Sequence, residues 1–273
     1  MKNVLIYANP KGLGGNEGKL VKIQIDNLLE LQWDPKDIMF FANFQYEYNG
    51  IKSILIGDDC YYERHPWSTK TYALTKIFEA GLIKEDTVYW MHDLDNFQLE
   101  KVTEEEVLEE MGTADVGLCD YGRRARLNGA SVFFKRSAED IFWWVECLMY
   151  EYGIDEESAF MVLYSNNRSW IRTPGTLAEM NPKRANMPGT EGISKRIQKM
   201  NITYNFIQFN VRSTYFMAKK PLRTVHFNPF PEAPSTYNPT GSMLDFFMYG
   251  KNNAKRAFVN ERLAKIFNKY GIK

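Results

Sequence analysis

Two aspartates, Asp93 and Asp95, stand one residue apart directly after residues 87–91, a run of β-branched and aromatic residues that predicts a buried strand. A turn at this point redirects one of the two side chains, so that both carboxylates can reach a hard divalent cation. Such a cation could bridge diphosphate oxygens and stabilise the charge on a leaving nucleoside diphosphate. A polar turn with Asx caps is the alternative. Because the pair ends a strongly apolar strand, we favour the metal site.

A late histidine and an acidic cluster offer further candidate groups. His226 lies in a Pro-rich context, where a neutral imidazole could ligate a metal or contact phosphate. A hydrogen-bonded histidine at a strand end is the alternative. Asp155, Glu156 and Glu157 open a predicted helix, and acidic residues are favoured in a first helical turn whether or not they do chemistry.

The Gly-rich segment 11–19 follows the first predicted strand but misses the standard nucleotide-binding patterns. Glu17 stands where the dinucleotide pattern requires its third Gly, and the P-loop pattern fails at Leu13 and Leu20. These departures exclude a kinase and a dehydrogenase. Lys70, on a predicted helix, could pair with a phosphate, although an exposed helical lysine is the commoner explanation.

Alternating strands and helices over the first 165 residues must position these groups. Apolar runs predict strands at residues 4–8, 38–41, 53–56, 87–91, 116–119 and 131–134. Helices are predicted at residues 19–31, 68–80, 103–110 and 137–152, the last with Ser137 as its N-cap, and another helix begins near Asp155. This order predicts an α/β fold with a mainly parallel central sheet, in which ligands bind at the carboxyl ends of the strands.

The C-terminal third has a different character. Residues 168–200 are rich in Pro, Gly, Asn and basic residues and predict long loops. Residues 204–209, 215–217 and 224–227 predict short strands, forming a small antiparallel portion, and residues 253–270 predict an amphipathic basic helix. Without a repeat or a low-complexity linker, we expect one domain over residues 1–273.

Composition places the chain among globular proteins. It has 273 residues, 44% of them hydrophobic, and no run approaches the roughly 20 apolar residues of a membrane span. Met1 leads within three residues into a predicted strand rather than a signal peptide, so we expect a cytoplasmic protein without stable membrane insertion. Cys60, Cys119 and Cys147 are widely spaced and predict buried free thiols rather than a disulfide framework or a zinc site.

The net charge of zero conceals a strong asymmetry. From Trp170 onward the chain carries 17 Lys and Arg against 5 Asp and Glu, whereas the preceding 169 residues carry 17 against 29. Such polarity is a hint of a polyanionic partner for the basic half. The alternative is that the basic side chains are simply solvated.

These motifs together resemble the GT-A family of nucleotide-sugar glycosyltransferases. The D-x-D motif of that family ends a central strand, and Asp93 and Asp95 match it. Residues 128–134 resemble the family's acceptor-side strand, which is followed by a helix and an acidic cluster. The segment around His226 resembles the late histidine that completes the metal and diphosphate site. The matching elements span about residues 1–230 in the expected order.

The resemblance implies a GT-A-like, Rossmann-type fold, Mn²⁺ or Mg²⁺ held by Asp93, Asp95 and His226, and a nucleoside-diphosphate sugar donor, a UDP-sugar being the first choice. It assigns residues 1–100 to the donor nucleotide, residues 101–230 to the acceptor and residues 231–273 to a basic extension. In the donor site it places five residues, Tyr7, Ala8, Asn9, Lys70 and Asp93. The acidic cluster supplies Asp155 or Glu156 as the base or sugar contact, so the stereochemistry of transfer stays open.

The acceptor is the least determined part of this interpretation. Arg123, Arg124 and Arg126 are three arginines within four positions, and arginine forks match phosphate geometry. With the basic C-terminal part they could follow a DNA backbone. Viral GT-A proteins of this size are similar to enzymes that glycosylate modified DNA bases, which implies a 5-hydroxymethylpyrimidine acceptor and, for such a protein, the host cytoplasm. The alternatives are a cell-envelope or polysaccharide glycosyltransferase, and a non-catalytic nucleic-acid-binding module.

Overall fold

A central sheet of eight strands organises the protein. The computed structural model describes residues 1–84, 86–122, 126–165, 189–207, 216–227, 229–230 and 260–272. In chain order its strands are β1 (Lys2–Tyr7), β2 (Ile38–Ala42), β3 (Glu47–Tyr48), β4 (Ile51–Leu55), β5 (Tyr89–His92), β6 (Asn96–Gln98), β7 (Val116–Asp120), β8 (Leu127–Phe134), β9 (Ile197–Met200), β10 (Phe206–Ile207) and β11 (Thr224–His226).

The order of the large sheet is β3–β4–β2–β1–β5–β8–β7–β9. Strand β1 pairs in parallel with β2 and β5, β2 pairs in parallel with β4, and β7 with β9. Strand β8 runs antiparallel to both of its neighbours, and β3 runs antiparallel to β4. The sheet is therefore mainly parallel, as the sequence predicts, and β1, β2, β4 and β5 end at one common edge.

Helices cover both faces of this sheet. They are α1 (Gly15–Glu30), α2 (Thr69–Glu79), α3 (Glu104–Met111), α4 (Glu139–Tyr152), α5 (Glu156–Ser165) and α6 (Glu261–Lys269). Along β1, Val4 and Ile6 pack in a core with α2, α4 and α5, while Leu5 packs in a second core with α1 and α3. This alternation is the two-residue period of a strand buried on both faces.

A second sheet of three strands lies beside α1 and α6, in the order β10–β11–β6. Strand β11 is antiparallel to β6 but parallel to β10. Its core joins Phe97 to Phe267 of α6, with ring centroids 4.9 Å apart. The small C-terminal portion is therefore mixed, and β6, directly after the D-x-D turn, joins it to the metal loop.

Several local predictions were wrong. Ser137 does not cap α4, because its hydroxyl donates to Asp115 and the helix begins two residues later. Phe216 and Met217 are helical, whereas the sequence predicts a strand there. Within the predicted loop region 168–200, residues 197–200 form the edge strand β9, whose inward Ile197 and Met200 are buried. Tertiary packing against β7 overrode the loop-like local composition.

None of the helices in the described part of the chain is long and apolar enough to cross a bilayer. The C-terminal helix is shorter than predicted, since α6 spans Glu261–Lys269 and residues 251–259 lie outside the described ranges.

Candidate metal and donor site

Two elements far apart in sequence bring the three predicted metal ligands together. Asp93 and Asp95 follow β5, and His226 ends β11, which pairs with β6 immediately after the turn. One ligand atom from each of the three side chains lies within 4.8 Å of the other two. The Nε2 atom of His226 is 3.3 Å from Oδ1 of Asp95. Two carboxylates and one imidazole at this spacing can hold a divalent cation.

Backbone hydrogen bonds fix the turn that carries the two aspartates. The amide of Asp93 donates to the carbonyl of Ala130 on β8 at 2.9 Å, and the amide of Asn96 donates to Asp93 at 3.0 Å. The amide of Phe227 donates to the carbonyl of Asp95 at 3.0 Å, which locks the histidine strand onto the turn. The turn is thus held from both sheets.

Gln24 of α1 also supports this turn, and the sequence analysis did not select it. Its fully buried amide donates to the carbonyls of Leu94 at 2.8 Å and Asn96 at 3.0 Å. A signal was present, because position 24 shares a helical face with Leu20 and Leu28 and is the polar residue in that apolar row. A buried amide without a function in folding would be costly.

Lys70 of α2 reaches from the opposite side and forms an ion pair with Asp93. Its Nζ is also 3.6 Å from Oε1 of Glu156. Burial favours the neutral amine, but the carboxylates of Asp93 and Glu156 outweigh it and raise the pKa of Lys70, which is therefore charged. Lys70 is therefore a largely buried lysine in contact with a candidate metal ligand, and not an exposed helical one.

The acidic cluster at the start of α5 divides into three different environments. Asp155 caps the helix by accepting from the amide of Ser158 at 2.8 Å, and it pairs with Arg126 at 2.5 Å. Glu156 is 3% exposed, accepts from the hydroxyl of Ser68, and has a pKa raised by burial. Of the two predicted catalytic carboxylates, Glu156 is the one in contact with the Lys70 and Asp93 group.

Glu157 has no direct contact with the metal ligands. It accepts from the hydroxyl of Tyr121 at 2.7 Å and from Nδ2 of Asn128 at 2.8 Å, and it pairs with Nε of Arg126 at 2.9 Å. Burial raises its pKa to about 7 despite these partners.

A chain of buried amides connects this cluster to the metal turn. Asn205 donates to Oδ1 of Asn128 at 2.5 Å, and Asn96 donates to the carbonyl of Ala130 at 3.0 Å and to Oδ1 of Asn205 at 3.4 Å. Gly129 allows the close approach, because a Cβ there would lie 3.1 Å from Oε1 of Glu156. Asn205 has no local sequence signal, since its partners are more than 70 residues away.

The predicted base-binding residues lie at the carboxyl end of β1. Tyr7 accepts from Nδ2 of Asn9 at 3.2 Å, and Ala8 is buried next to them. Asn9 is bound to Asn43 through its amide at 3.0 Å and its carbonyl at 3.1 Å. Asn43 in turn donates to Asp58 at 2.7 Å. These residues share the sheet edge that carries the metal turn.

The predicted acceptor arginines are only partly described. Arg123 and Arg124 lie outside the described residues, and Arg126 pairs with Asp155 and Glu157. His92, the residue before Asp93, is buried, and burial lowers its pKa to about 4. A neutral His92 packs against Trp90 inside the core.

The charge asymmetry of the chain has a structural counterpart. Described basic residues after position 169 pair with acidic residues before it: Arg196 with Asp115 and Asp140, Lys199 with Asp120, Lys219 with Glu110, Arg223 with Glu100 and Glu106, and Lys269 with Asp26. Ion pairs between the two parts of the chain thus account for five of the described basic residues, a third explanation beside a polyanionic partner and simple solvation.

The sequence matches no family model and no curated protein, but solved structures share its architecture. The galactosyltransferase LgtC, determined in complex with donor and acceptor sugar analogs, aligns with a TM-score of 0.56 at 12% identity over 98% of this chain and 96% of its own. The glycosyltransferase GlyE of Streptococcus pneumoniae aligns with a TM-score of 0.54 at 11% identity over 99% of this chain and 63% of its own.

The fold is GT-A-like. At these identities the likeness establishes the architecture, and it confirms the fold predicted from the order of the sequence motifs.

Proposed function

We propose that this protein is a divalent-metal-dependent glycosyltransferase that moves a sugar from a nucleoside-diphosphate sugar to an acceptor hydroxyl. The supporting observation is the convergence of Asp93, Asp95 and His226 at the carboxyl edge of a GT-A-like sheet. This edge is the usual ligand-binding position of open α/β sheets. LgtC and GlyE, which share the fold, are glycosyltransferases.

The donor set fits the cation that this function requires. Two carboxylates and one imidazole suit Mn²⁺ or Mg²⁺, and they leave coordination positions for diphosphate oxygens and water. When bound, the cation neutralises the charge on the departing diphosphate. Asp93, Asp95 and His226 would hold it, and Gln24 would keep the turn in shape.

The remaining residues take roles that follow from their contacts. Lys70 supplies a fixed positive charge beside Asp93, suited to donor phosphate. Glu156 is the carboxylate placed to act as base or sugar contact, and Asp155 orients α5 and Arg126. Tyr7, Ala8 and Asn9 line the end of β1, where the nucleotide base would bind.

We further propose that three consecutive parts of one domain have different roles. Residues 1–100 would bind the donor, residues 101–230 would carry the acceptor side, and residues 231–273 would form a basic extension. The N-terminal assignment is supported by β1, β5 and Lys70, which meet at the metal turn.

A 5-hydroxymethylpyrimidine in DNA is the acceptor that the sequence favours, through the basic C-terminal part and the arginines at positions 123, 124 and 126. The intramolecular pairing of Arg126 and of the described C-terminal basic residues weakens this argument. UDP as the nucleotide and Mn²⁺ as the ion are likewise proposals that the assay below addresses.

The function is tested with a panel of nucleotide sugars and Mn²⁺, measuring donor hydrolysis and transfer with and without hydroxymethylated duplex DNA. We expect hydrolysis of at least one donor that stops on chelation with EDTA and returns with Mn²⁺ or Mg²⁺. Transfer to the DNA would establish that acceptor, whereas donor hydrolysis alone would support the enzyme class and exclude DNA. Absence of any metal-dependent donor binding would refute the proposal.

A further inference from the structure

We infer that Trp67 is the binding platform for the acceptor, and that the acceptor presents an uncharged glycosyl ring. This inference rests on the proposed function and specifies the substrate class of the same site. Its basis is the position, the anchoring and the electrostatic surroundings of this one exposed ring.

Trp67 lies beside the candidate site in both sequence and space. Its neighbour Ser68 donates to Glu156, and Lys70, three positions on, pairs with Asp93. The segment 56–68 connects the carboxyl end of β4 to the start of α2, so it runs along the sheet edge that carries the metal turn. A ligand that reaches Glu156 from solvent would meet this segment.

The segment around Trp67 is anchored to the last turn of α4. The hydroxyl of Tyr62 donates to the carbonyl of Met149 at 3.1 Å, and Arg64 donates to the carbonyl of Tyr150 at 3.2 Å. The carbonyl of Met149 also accepts from the amide of Gly153 at 2.9 Å, so Tyr62 adds a second donor at the end of α4 and ties the segment to it.

His65 completes the anchoring. Its Nε2 is 3.0 Å from the carbonyl of Gly153, and its ring centroid is 5.2 Å from that of Trp67. One side of the indole thus contacts a fixed neighbour. A ring held on a braced segment is pre-organised for binding, because little side-chain freedom is lost when a ligand covers it.

Trp67 is nevertheless 64% exposed, in contrast to Trp33 and Trp90, which are 5% and 0% exposed. Tyr150, whose carbonyl binds Arg64, is 75% exposed on the adjoining helix end. Single exposed rings are common on protein surfaces, but Trp67 lies next in sequence to Ser68, which binds Glu156, so its ring offers an apolar face beside the candidate site. An indole face suits the apolar face of a sugar ring or of a base.

The charges near Trp67 distinguish these two ligands. Among the described residues of segment 56–68 and of the last turn of α4, Asp58, Asp59, Glu63 and Glu151 are exposed acids and Arg64 is the exposed base. The charge of nearby Lys70 is already paired with Asp93. A nucleic acid that covered Trp67 would bring its phosphates towards these acidic side chains, which would repel them. An uncharged glycosyl ring pays no such electrostatic cost, so the surroundings favour a neutral glycan.

The test compares Trp67→Ala, Trp67→Tyr and the matched control Trp143→Ala. Trp143 is also exposed, at 45%, but lies on α4 beside Glu79 and Arg136, away from the metal turn. Acceptor kinetics are measured with neutral di- and trisaccharides and with hydroxymethylated duplex DNA, using the donor found by hydrolysis. Donor affinity is measured separately by titration with Mn²⁺ present.

We expect transfer to a neutral saccharide, with an acceptor KM that Trp67→Ala raises roughly tenfold or more. Trp67→Tyr should restore most of the affinity, and Trp143→Ala should change nothing. The acceptor KM should also be nearly independent of salt, whereas a DNA acceptor would show a steep salt dependence.

An acceptor KM that is unchanged in Trp67→Ala, or a preference for DNA or an anionic glycan, would overturn the inference. In either case, metal-dependent donor binding would leave the proposed function standing. If the wild-type protein bound no nucleotide sugar, the proposed function itself would fail, and the inference with it.

Discussion

Two carboxylate clusters in this protein, one around Asp26 and one at the candidate metal site, differ in how many donors the fold supplies to each carboxylate. Asp26 of α1 accepts from Tyr270 at 2.6 Å, from Asn49 at 2.8 Å, from Lys269 at 2.8 Å and from Tyr48 at 3.3 Å. These donors join α1, β3 and α6, so the cluster holds the C-terminal helix in place.

Each carboxylate at the candidate metal site has fewer donors than Asp26. Asp93, Asp95 and Glu156 converge, with Lys70 as the cation that pairs with Asp93 and His226 beside Asp95. Asp93 and Asp95 are partly exposed, so a cation from solvent can reach them, and it would reduce the mutual repulsion of the three carboxylates. The comparison separates a carboxylate that stabilises the fold from carboxylates arranged for a ligand, although both groups look alike in composition.

The largest expected effect is at the carboxylates of the candidate metal site. Asp95→Ala should reduce metal-dependent turnover at least about 100-fold, because it removes a ligand made by the fold for a cation, while unfolding free energy changes by less than about 1 kcal/mol. Asp37→Ala, at the other end of the sheet and paired with Lys2, is the matched control and should retain activity. Normal turnover in the Asp95→Ala variant would show that the carboxylates of the candidate metal site are not arranged for a ligand.

Substitution of Asp26 should instead lower stability and leave activity nearly unchanged. Asp26→Asn leaves Lys269 and two tyrosines with a weaker acceptor in a nearly buried position, so unfolding free energy should fall by about 2–3 kcal/mol. Specific activity at a temperature where the variant is folded should stay within about twofold of wild type, since Asp26 is remote from the metal turn. The check is chemical denaturation beside steady-state kinetics, and loss of activity without loss of stability would contradict it.

Glu157 is intermediate between the two clusters. It accepts from several donors, but burial still disfavours its charged form. The folded protein holds its proton up to a pKa of about 7, whereas the unfolded chain releases it near pH 4.5. Its contribution to stability is therefore fully present below pH 4.5 and is lost as pH rises through 7, a change of about 3 kcal/mol.

Glu157→Gln isolates this contribution. The stability of wild type minus that of the variant should decrease between pH 5 and pH 8 in denaturation experiments. A difference that stays constant over this range would show that the Glu157 carboxyl has an ordinary pKa.

The smallest expected effect is the loss of turnover when the Glu156 carboxylate is displaced. Gly129→Ala places a methyl group 3.1 Å from its Oε1, which forces the carboxylate to shift by a few tenths of an ångström. Turnover should fall about tenfold with donor affinity nearly unchanged. A larger effect on donor affinity than on turnover would place Glu156 with the donor phosphates instead of the reacting sugar.

The sequence predicts the parts of this structure that depend on local pattern. Apolar runs and β-branched and aromatic content located β1, β2 and β5, and the two carboxylates at a strand end singled out Asp93 and Asp95. His226 was predicted from the order of the motifs along the chain. Local pattern could not have predicted it, because 130 residues separate it from Asp95 and none of them indicates that its strand pairs next to the turn.

The remainder depends on tertiary contacts. Strand β9 forms in a Pro- and Gly-rich region since its edge position next to β7 buries Ile197 and Met200. Gln24 and Asn205 act through backbone and amide partners on distant elements, so their types alone did not mark them. Trp67 is distinguished from Trp33 and Trp90 only by exposure, a property of the fold rather than of the sequence.

The most direct test of the metal site is a crystal structure with Mn²⁺ and a nucleoside diphosphate, recorded with anomalous scattering. We predict one manganese peak bonded to Asp93, Asp95 and His226 and to diphosphate oxygens, with Lys70 beside the phosphate. A nucleotide bound at this edge without manganese, or manganese held by other residues, would contradict the account.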